Sequence, residues 1–291
     1  MRGAYYFLVL GVSITVGAVS VPNVIGNNTK AAAEDAPWIV SLQMEQDDFA
    51  FCGATLINSN CREDKNCSGW VITAASCLEG IPRDSLIATL GNLDLSDPSV
   101  GIPLNINRSS FTVHENYNAS SHENDVGLFK VDFDCNSDEA TTCGNFSLNI
   151  KSQFNITEDL YDKINASFAG WGLLVEKGPL QKVLYNTSIP LRTDKNCTSL
   201  YDHEVFKGDS MICAGAAGFG PCSHDTGGPL ACQYEENEKF DKWLCGIASF
   251  GDGCGNGNKP AVFTDITNKN FIEWVEKKIT ETDESVNVRR F

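Results

Sequence analysis

The segment from Pro221 to Leu230 has the residue types that acyl-transfer chemistry requires. It reads Pro-Cys-Ser-His-Asp-Thr-Gly-Gly-Pro-Leu, so the hydroxyl residue Thr226 follows Asp225 and precedes two glycines, between the nearby cysteines Cys222 and Cys232. This pattern favours a tight turn held by disulfides, with one side-chain oxygen presented beside a pair of backbone N–H groups. Such a turn can supply a nucleophile and an oxyanion hole.

Two further segments carry polar residues that fit the same chemistry. Residues 69–77 read Gly-Trp-Val-Ile-Thr-Ala-Ala-Ser-Cys, and residues 124–130 read Asn-Asp-Val-Gly-Leu-Phe-Lys. In chain order the three segments resemble the TAAHC, NDIALLK and GDSGGPL motifs of the chymotrypsin/trypsin-like serine proteases. The resemblance covers roughly residues 24 to 279, and it includes agreements at residues 36–42, 169–172, 211–215, 246–251 and 259–264.

The predicted fold class is all-β. From Trp38 to Ile266, short apolar or alternating runs are separated by Gly, Pro, Asn and Asp clusters, as is typical of antiparallel barrels. The resemblance implies two antiparallel six-stranded β-barrels, and residues 134–160 form the predicted connector. Phe271, Trp274 and Val275 recur at helical spacing, which predicts a C-terminal α-helix over residues 270–279.

The N-terminal residues indicate export. Arg2 precedes an apolar run from Tyr5 to Val19 that ends in small residues, so we interpret residues 1–20 as a signal peptide and the protein as secreted and extracellular. A membrane anchor is the weaker alternative, because the run is short and interrupted by glycine and serine. Residues 21–23 form a short pro-like extension, residues 24–279 the protease-like domain and residues 280–291 a polar tail.

The start of the domain also has a counterpart in the family. Residues 24–27 resemble the activation terminus, and the resemblance implies that the Val24 ammonium, freed by cleavage, pairs with Asp225. The family usually has a basic residue before the cut, whereas this chain has Asn23. We therefore expect the domain to remain zymogen-like.

Composition excludes several partner classes. The formal net charge of −16 argues against nucleic acid, polyanions and anionic membranes as partners. Twelve cysteines in an exported chain favour disulfides over metal ligation, and no CxxC or HExxH motif occurs. We expect no metal and no cofactor.

The twelve cysteines divide into six predicted disulfides. The resemblance implies three pairs: Cys52–Cys77, Cys197–Cys213 and Cys222–Cys254. Local position suggests the other three: Cys61–Cys67 and Cys135–Cys143, each around a polar insertion, and Cys232–Cys245, across a predicted hairpin.

Nine N-x-S/T sequons in a chain with a signal peptide predict heavy N-glycosylation. The acceptors are Asn27, Asn66, Asn107, Asn118, Asn145, Asn155, Asn165, Asn186 and Asn196.

The chain departs from the family motifs at three site positions. Ser76 stands at the histidine position, Thr226 at the serine position, and His224 replaces a glycine whose N–H helps to form the oxyanion hole; Asp125 is retained. A serine hydroxyl cannot act as the base, the threonine methyl crowds attack, and histidine is strained where glycine is required. His114, His122 and His203 lie outside the motif and are interpreted as surface or loop residues rather than relocated bases. We therefore predict that the chain is not an enzyme.

The resemblance also implies a vestigial specificity pocket. Its floor is Gly220, and its walls include Ser249, Gly251 and Ala261. Because no acid stands at the floor, we expect a small apolar side chain to suit it better than a cationic one.

Three functions remain open. The favoured hypothesis is a non-catalytic protease homologue that binds a protein partner, as a decoy for protease inhibitors, a cofactor in a proteolytic cascade or an immune modulator. The partner would be a protease, a protease inhibitor or an immune-cascade component, and the chain a monomer. The alternatives are a serine-type endopeptidase with a divergent triad, and a glycoprotein that retains only the scaffold.

Overall fold

The computed structural model describes residues 29–135, 146–151, 156–201, 205–218, 220–236, 239–256 and 258–282. The predicted signal peptide, residues 21–28 and the last nine residues of the predicted tail lie outside these ranges. The regular structure of the described chain is mainly β-strand, and the strands are β1 (Thr29–Lys30), β2 (Ile39–Met44), β3 (Cys52–Cys61), β4 (Asn66–Thr73), β5 (Leu86–Leu90), β6 (Ile102–Pro103), β7 (Asn105–Ile106), β8 (Thr112–Val113), β9 (Gly127–Asp134), β10 (Ile164–Gly170), β11 (Tyr185–Ser188), β12 (Leu191–Arg192), β13 (Met211–Ala214), β14 (Pro229–Glu236), β15 (Lys239–Phe250) and β16 (Ala261–Asp265).

The helices are few. The α-helices are α1 (Asp194–Leu200) and α2 (Lys269–Thr282), and short 3-10 turns cover Ala75–Cys77, Arg83–Ser85 and Arg108–Ser110. The predicted C-terminal helix is confirmed and extends beyond residue 279. None of the helices in the described ranges is long and apolar enough to cross a membrane.

The strands form two curled antiparallel sheets. The first has the order β6-β5-β2-β3-β4-β9-β7, with β8 also paired to β9, and the second has the order β1-β11-β10-β14-β15-β16-β13-β12. The mostly β, two-sheet architecture is therefore as predicted, but the prediction of six strands in each sheet is wrong. The difference lies in two-residue strands such as β6 and β12, which pair at sheet edges and are too short to produce a periodic apolar pattern.

Apolar residues on the inner faces of these strands build the core. Val71, Phe129, Leu230 and Phe263 are fully buried, and β9 alternates between buried and exposed positions along its second half. This alternation is the period of two that a half-buried strand requires. The sheets thereby fix the strand ends from which the site residues project.

Five of the predicted disulfides are present in the structure. They are Cys52–Cys77, Cys61–Cys67, Cys197–Cys213, Cys222–Cys254 and Cys232–Cys245. The sixth predicted pair, Cys135–Cys143, involves a residue outside the described ranges.

Helix α2 docks on the segment between β8 and β9. The Trp274 indole Nε1 donates a hydrogen bond of 2.7 Å to Glu115, and the Lys278 ammonium lies 2.5 Å from the other oxygen of the same carboxylate. The His114 ring packs against Trp274 with 5.0 Å between ring centroids. Glu115 therefore clamps helix α2 to the segment that leads into Asp125.

We expect Glu115→Gln to lower the free energy of unfolding by about 1 kcal/mol, because the ion pair is half-exposed and screened by solvent. The hydrogen bond from Lys278 lowers the pKa of Glu115 to about 2. A carboxyl with a lowered pKa stabilises the fold above its unfolded pKa of about 4.3, and the stabilisation is lost as the pH falls towards the folded value. Denaturant unfolding at pH 7 and pH 3 measures both effects.

Glu273→Gln is the matched control, because Glu273 forms an exposed ion pair with Lys269 on the same helix. It should leave stability nearly unchanged. Equal effects of the two substitutions would contradict the clamp.

Candidate active site

The turn at residues 221–228 is fixed by hydrogen bonds to both sheets. The Gly53 N–H, on β3, donates to the Thr226 carbonyl at 2.8 Å, and the Gly227 N–H donates to the Ala248 carbonyl, on β15, at 2.7 Å. Gly227 has a φ of +82°, and a Cβ there would lie 2.3 Å from the Gly53 carbonyl oxygen. Only glycine fits this approach, so the position of Thr226 between the sheets is set by the backbone.

His224 keeps the backbone conformation that a glycine would adopt. Its φ is +77°, in the left-handed region that costs an L-residue about 1–3 kcal/mol. The peptide has therefore not turned away to relieve this strain. Within the described residues, the backbone N–H groups of His224 and Thr226 donate no hydrogen bond. The two donors of an oxyanion hole thus remain available.

Asp125 is fully buried and accepts hydrogen bonds from both halves of the chain. The backbone N–H and the hydroxyl of Ser76 donate to its carboxylate at 2.8 Å and 3.1 Å. The Ser249 hydroxyl, from β15, donates to the same carboxylate at 2.5 Å. Ser76 therefore fills the place at which an imidazole would hydrogen-bond to Asp125.

A histidine nevertheless lies beside Asp125. His122 Nδ1 is 3.8 Å from the Asp125 carboxylate, is buried and has no hydrogen-bond partner, while the ring stacks on Phe250 with 5.1 Å between centroids. His122 lies on a loop and its side chain is 36% exposed, as interpreted, but the sequence analysis did not place its ring beside Asp125. His122 has a left-handed backbone conformation, with a φ of +55°, which reverses the direction of the loop. A histidine in a sequence does not signal such a turn, so the position of its ring could not be predicted.

The remaining sequence-predicted histidines do not reach the site. His114 packs on α2, and His203 lies outside the described residues. Tyr117 is a second residue that the sequence analysis missed. Its burial, together with the charges of Asp125 and Glu79, raises the pKa of the phenol to about 12, so the Tyr117 hydroxyl stays protonated beside Ser76.

A cavity of about 410 Å³ opens beside Thr226. It is lined by the predicted wall residues Ser249, Gly251 and Ala261, and also by Phe250. Gly220 is not among the residues that line this cavity, and its assignment as the floor stays a prediction. The chain at Gly220 has a φ of +152°, and the cysteines of the Cys222–Cys254 disulfide line the cavity instead.

The cavity also has a carboxylate that the sequence analysis did not expect. Glu176, from the loop that follows Trp171, contributes to the lining, and its Oε2 lies over Gly253, where a Cβ would be 3.4 Å away. Glu176 belongs to no recognised motif, because its contribution depends on how a long loop folds back. The lining of the pocket therefore includes one acidic side chain, that of Glu176.

Asp225 is buried beneath the turn and is held by backbone donors. Gly172 N–H and Cys222 N–H donate to its two carboxylate oxygens at 2.8 Å and 2.9 Å. A Cβ at Gly172 would lie 2.3 Å from the carboxylate, which explains why glycine is required there. Burial raises the pKa of Asp225 to about 7. Val24, its predicted activation partner, lies outside the described residues.

Comparison with known proteins identifies the sequence family of the chain. A family model described as Trypsin matches residues 25–275. Trypsin of Xenopus laevis is 29% identical over 262 residues, which are 88% of this chain and 91% of that protein. Serine proteinase stubble of Drosophila melanogaster is 30% identical over 253 residues, which are 82% of this chain but 29% of that protein. Transmembrane protease serine 11G of Rattus norvegicus is 29% identical over 261 residues, which are 87% of this chain and 55% of that protein.

The chain thus spans about half of one of these relatives and less than a third of another. All three are named as trypsin, proteinase or protease. This finding contradicts the prediction that the chain is not an enzyme. The departures at Ser76, Thr226 and His224 describe how its site differs from the family motifs, and they do not by themselves show inactivity.

We expect the stability of the protein to depend on pH through Asp225. Its pKa of about 7 in the folded state exceeds the value of about 3.9 in an unfolded chain. Between these two pH values the folded state binds more protons, so the free energy of unfolding falls as the pH rises, by on the order of 4 kcal/mol in total. Asp225→Asn should remove this dependence, while its amide nitrogen would face a backbone N–H donor of Gly172 or Cys222 and lower the stability at every pH.

Denaturant unfolding from pH 4 to pH 8, on chain that retains residues 21–23, measures this effect. Asp252→Asn is the control, because Asp252 is exposed and paired with Lys259. If the parent protein instead gains stability from pH 4 to pH 8 and Asp225→Asn abolishes the gain, an ammonium such as that of Val24 pairs with Asp225, and the expected zymogen-like state is wrong.

Proposed function

Because the chain belongs to the trypsin family, we propose that it is an endopeptidase with a divergent triad. Thr226 is the nucleophile, His122 the base and Asp125 the carboxylate that orients the base. The observation that supports this proposal is the position of His122 Nδ1, 3.8 Å from the Asp125 carboxylate. An imidazole and a buried carboxylate are thus neighbours although the family's histidine position is Ser76.

The chemistry follows from these roles. The Thr226 hydroxyl oxygen bonds to the carbonyl carbon of the scissile peptide, and its proton passes to His122 Nε2. The oxyanion that forms accepts hydrogen bonds from the N–H groups of His224 and Thr226. The imidazolium then gives the proton to the leaving amine as the C–N bond breaks, and water releases the acyl group by the reverse sequence.

Asp125 stabilises the imidazolium through its carboxylate. The distance of 3.8 Å exceeds that of a hydrogen bond, and catalytic contacts of this kind commonly tighten when substrate binds. Ser76 and Ser249 meanwhile hold the carboxylate in place by hydrogen bonds. In this proposal Ser76 is a positioning residue.

The cavity beside Thr226 would receive the side chain before the scissile bond. We propose that Glu176 makes a cationic side chain suitable there, because its carboxylate lies at the cavity without an ion-pair partner among the described residues. The partners of the protein are then peptides or proteins that are cleaved, and inhibitors that fill the same cleft.

We further propose that the protein is secreted and N-glycosylated. Among the sequon acceptors in the described ranges, five are exposed and Asn186 is half-exposed. The exposed acceptors are Asn66, Asn107, Asn118, Asn165 and Asn196. Asn27, Asn145 and Asn155 lie outside the described residues.

We expect Thr226→Ala to abolish cleavage of peptide substrates. His122→Asn should lower kcat by about 10²–10⁴-fold, because it removes the base. Asparagine is chosen because it tolerates the left-handed backbone of His122. Steady-state kinetics on a chromogenic peptide panel, with the N-terminus freed at Val24, measure these effects.

Ser121→Ala is the matched control in the same loop, since Ser121 contacts Glu123 and not Asp125. It should leave kcat within about twofold, as expected of a surface change. Absence of turnover by the parent protein, or full activity in Thr226→Ala, would overturn the proposed function.

The proposal for Glu176 has its own test. Benzamidine carries a planar cation and should bind the parent protein in calorimetry, and Glu176→Gln should weaken that binding by about tenfold or more. The neutral analogue benzamide should bind both proteins equally. Unchanged benzamidine affinity in Glu176→Gln would show that Glu176 does not anchor the cation.

A further inference from the structure

The loop between β2 and β3, residues 45–51, contacts the second half of the chain at two points. Asp48 forms an ion pair with Lys182, and the Phe49 ring meets the His224 ring edge to face, with 5.5 Å between centroids and 89° between planes. Lys182 is itself fixed, because its carbonyl accepts a hydrogen bond of 2.8 Å from the Leu95 N–H. The loop is therefore tied to two different segments across the cleft.

These contacts lie beside Thr226 but outside the cavity. Thr226 and Ser223 line the cavity, whereas neither Phe49 nor His224 does. The loop ends at the start of β3, where Gly53 bonds to the Thr226 carbonyl. If the cavity holds the side chain before the scissile bond, the leaving amine must pass Thr226 on the side where Phe49 and His224 meet.

The contact between Phe49 and His224 closes this side with ring surface. Nδ1 of His224 is buried and has no hydrogen-bond partner, so this nitrogen is not presented to an incoming peptide. The left-handed backbone of His224 holds the ring in this direction. A glycine at the same position would leave the space open.

We propose that Phe49 and His224 form a wall on the leaving-group side of Thr226, with the Asp48–Lys182 pair holding the loop in place. The wall slows the cleavage of substrates in which a longer segment follows the scissile bond, relative to substrates with a small group there. This inference deepens the proposed endopeptidase function and rests on it.

Two matched substrates test the wall. They share the residues before the scissile bond, and one ends in a simple amide while the other continues for four residues. The parent protein should favour the amide by about tenfold or more in kcat/KM, and Phe49→Ala and His224→Gly should each reduce this preference by about tenfold. Asp48→Asn should reduce it less, and only at low salt, while the neighbouring Asp47→Asn is the control that leaves it unchanged.

A binding experiment tests the wall without turnover. Two non-hydrolysable peptides, in which the scissile amide is reduced to a methylene-amine, match the short and the extended substrate. Calorimetry should show that the extended peptide gains affinity in Phe49→Ala by about tenfold, while the short peptide binds both proteins equally.

The outcomes separate the two proposals. If no substrate is cleaved, the endopeptidase proposal fails. The ratio of the affinities for the extended and the short peptide still tests whether Phe49 and His224 form a wall. Equal affinity of the parent for both peptides, no change of the ratio in Phe49→Ala, or no binding of either peptide would each overturn the wall.

Discussion

The buried carboxylate of Asp125 is the constraint on which the site depends. A charge in the protein interior is tolerated only when hydrogen bonds or opposite charges surround it. Here the donors come from Ser76 after β4 and from Ser249 on β15, and Thr264 on β16 bonds to the Asp125 carbonyl. These hydrogen bonds to Asp125 therefore fix the position of one sheet relative to the other. The cleft between the two sheets follows from that arrangement.

The sequence predicts the scaffold better than the site. Apolar periodicity and short-range cysteine spacing report on local structure, so α2 and the Cys232–Cys245 hairpin disulfide could be predicted. The edge strands could not, because two residues carry no period. His122 and Glu176 were missed for a related reason: each reaches the site through a loop whose path is set by long-range contacts and by positive φ angles rather than by a motif.

The departures from the family motifs are coupled to one another. Because Ser76 stands at the histidine position, two groups lie beside the Asp125 carboxylate. The Ser76 hydroxyl donates a hydrogen bond to it, and the His122 ring lies 3.8 Å away. With His224 in place of glycine, the turn retains its shape but presents a ring to Phe49. Each departure alone removes a feature of the family site, whereas together they leave one imidazole ring beside Asp125 and another against Phe49.

The docking of α2 has a consequence for how the protein can be handled. Glu115 and His114, which hold the helix, belong to the same segment of chain as His122 and Asp125. Helix α2 is thus connected to the cleft through a few residues of backbone. A purification tag or fusion partner attached after residue 282, or a truncation there, can therefore affect the site through α2. Assays of the site should compare proteins that differ in this modification.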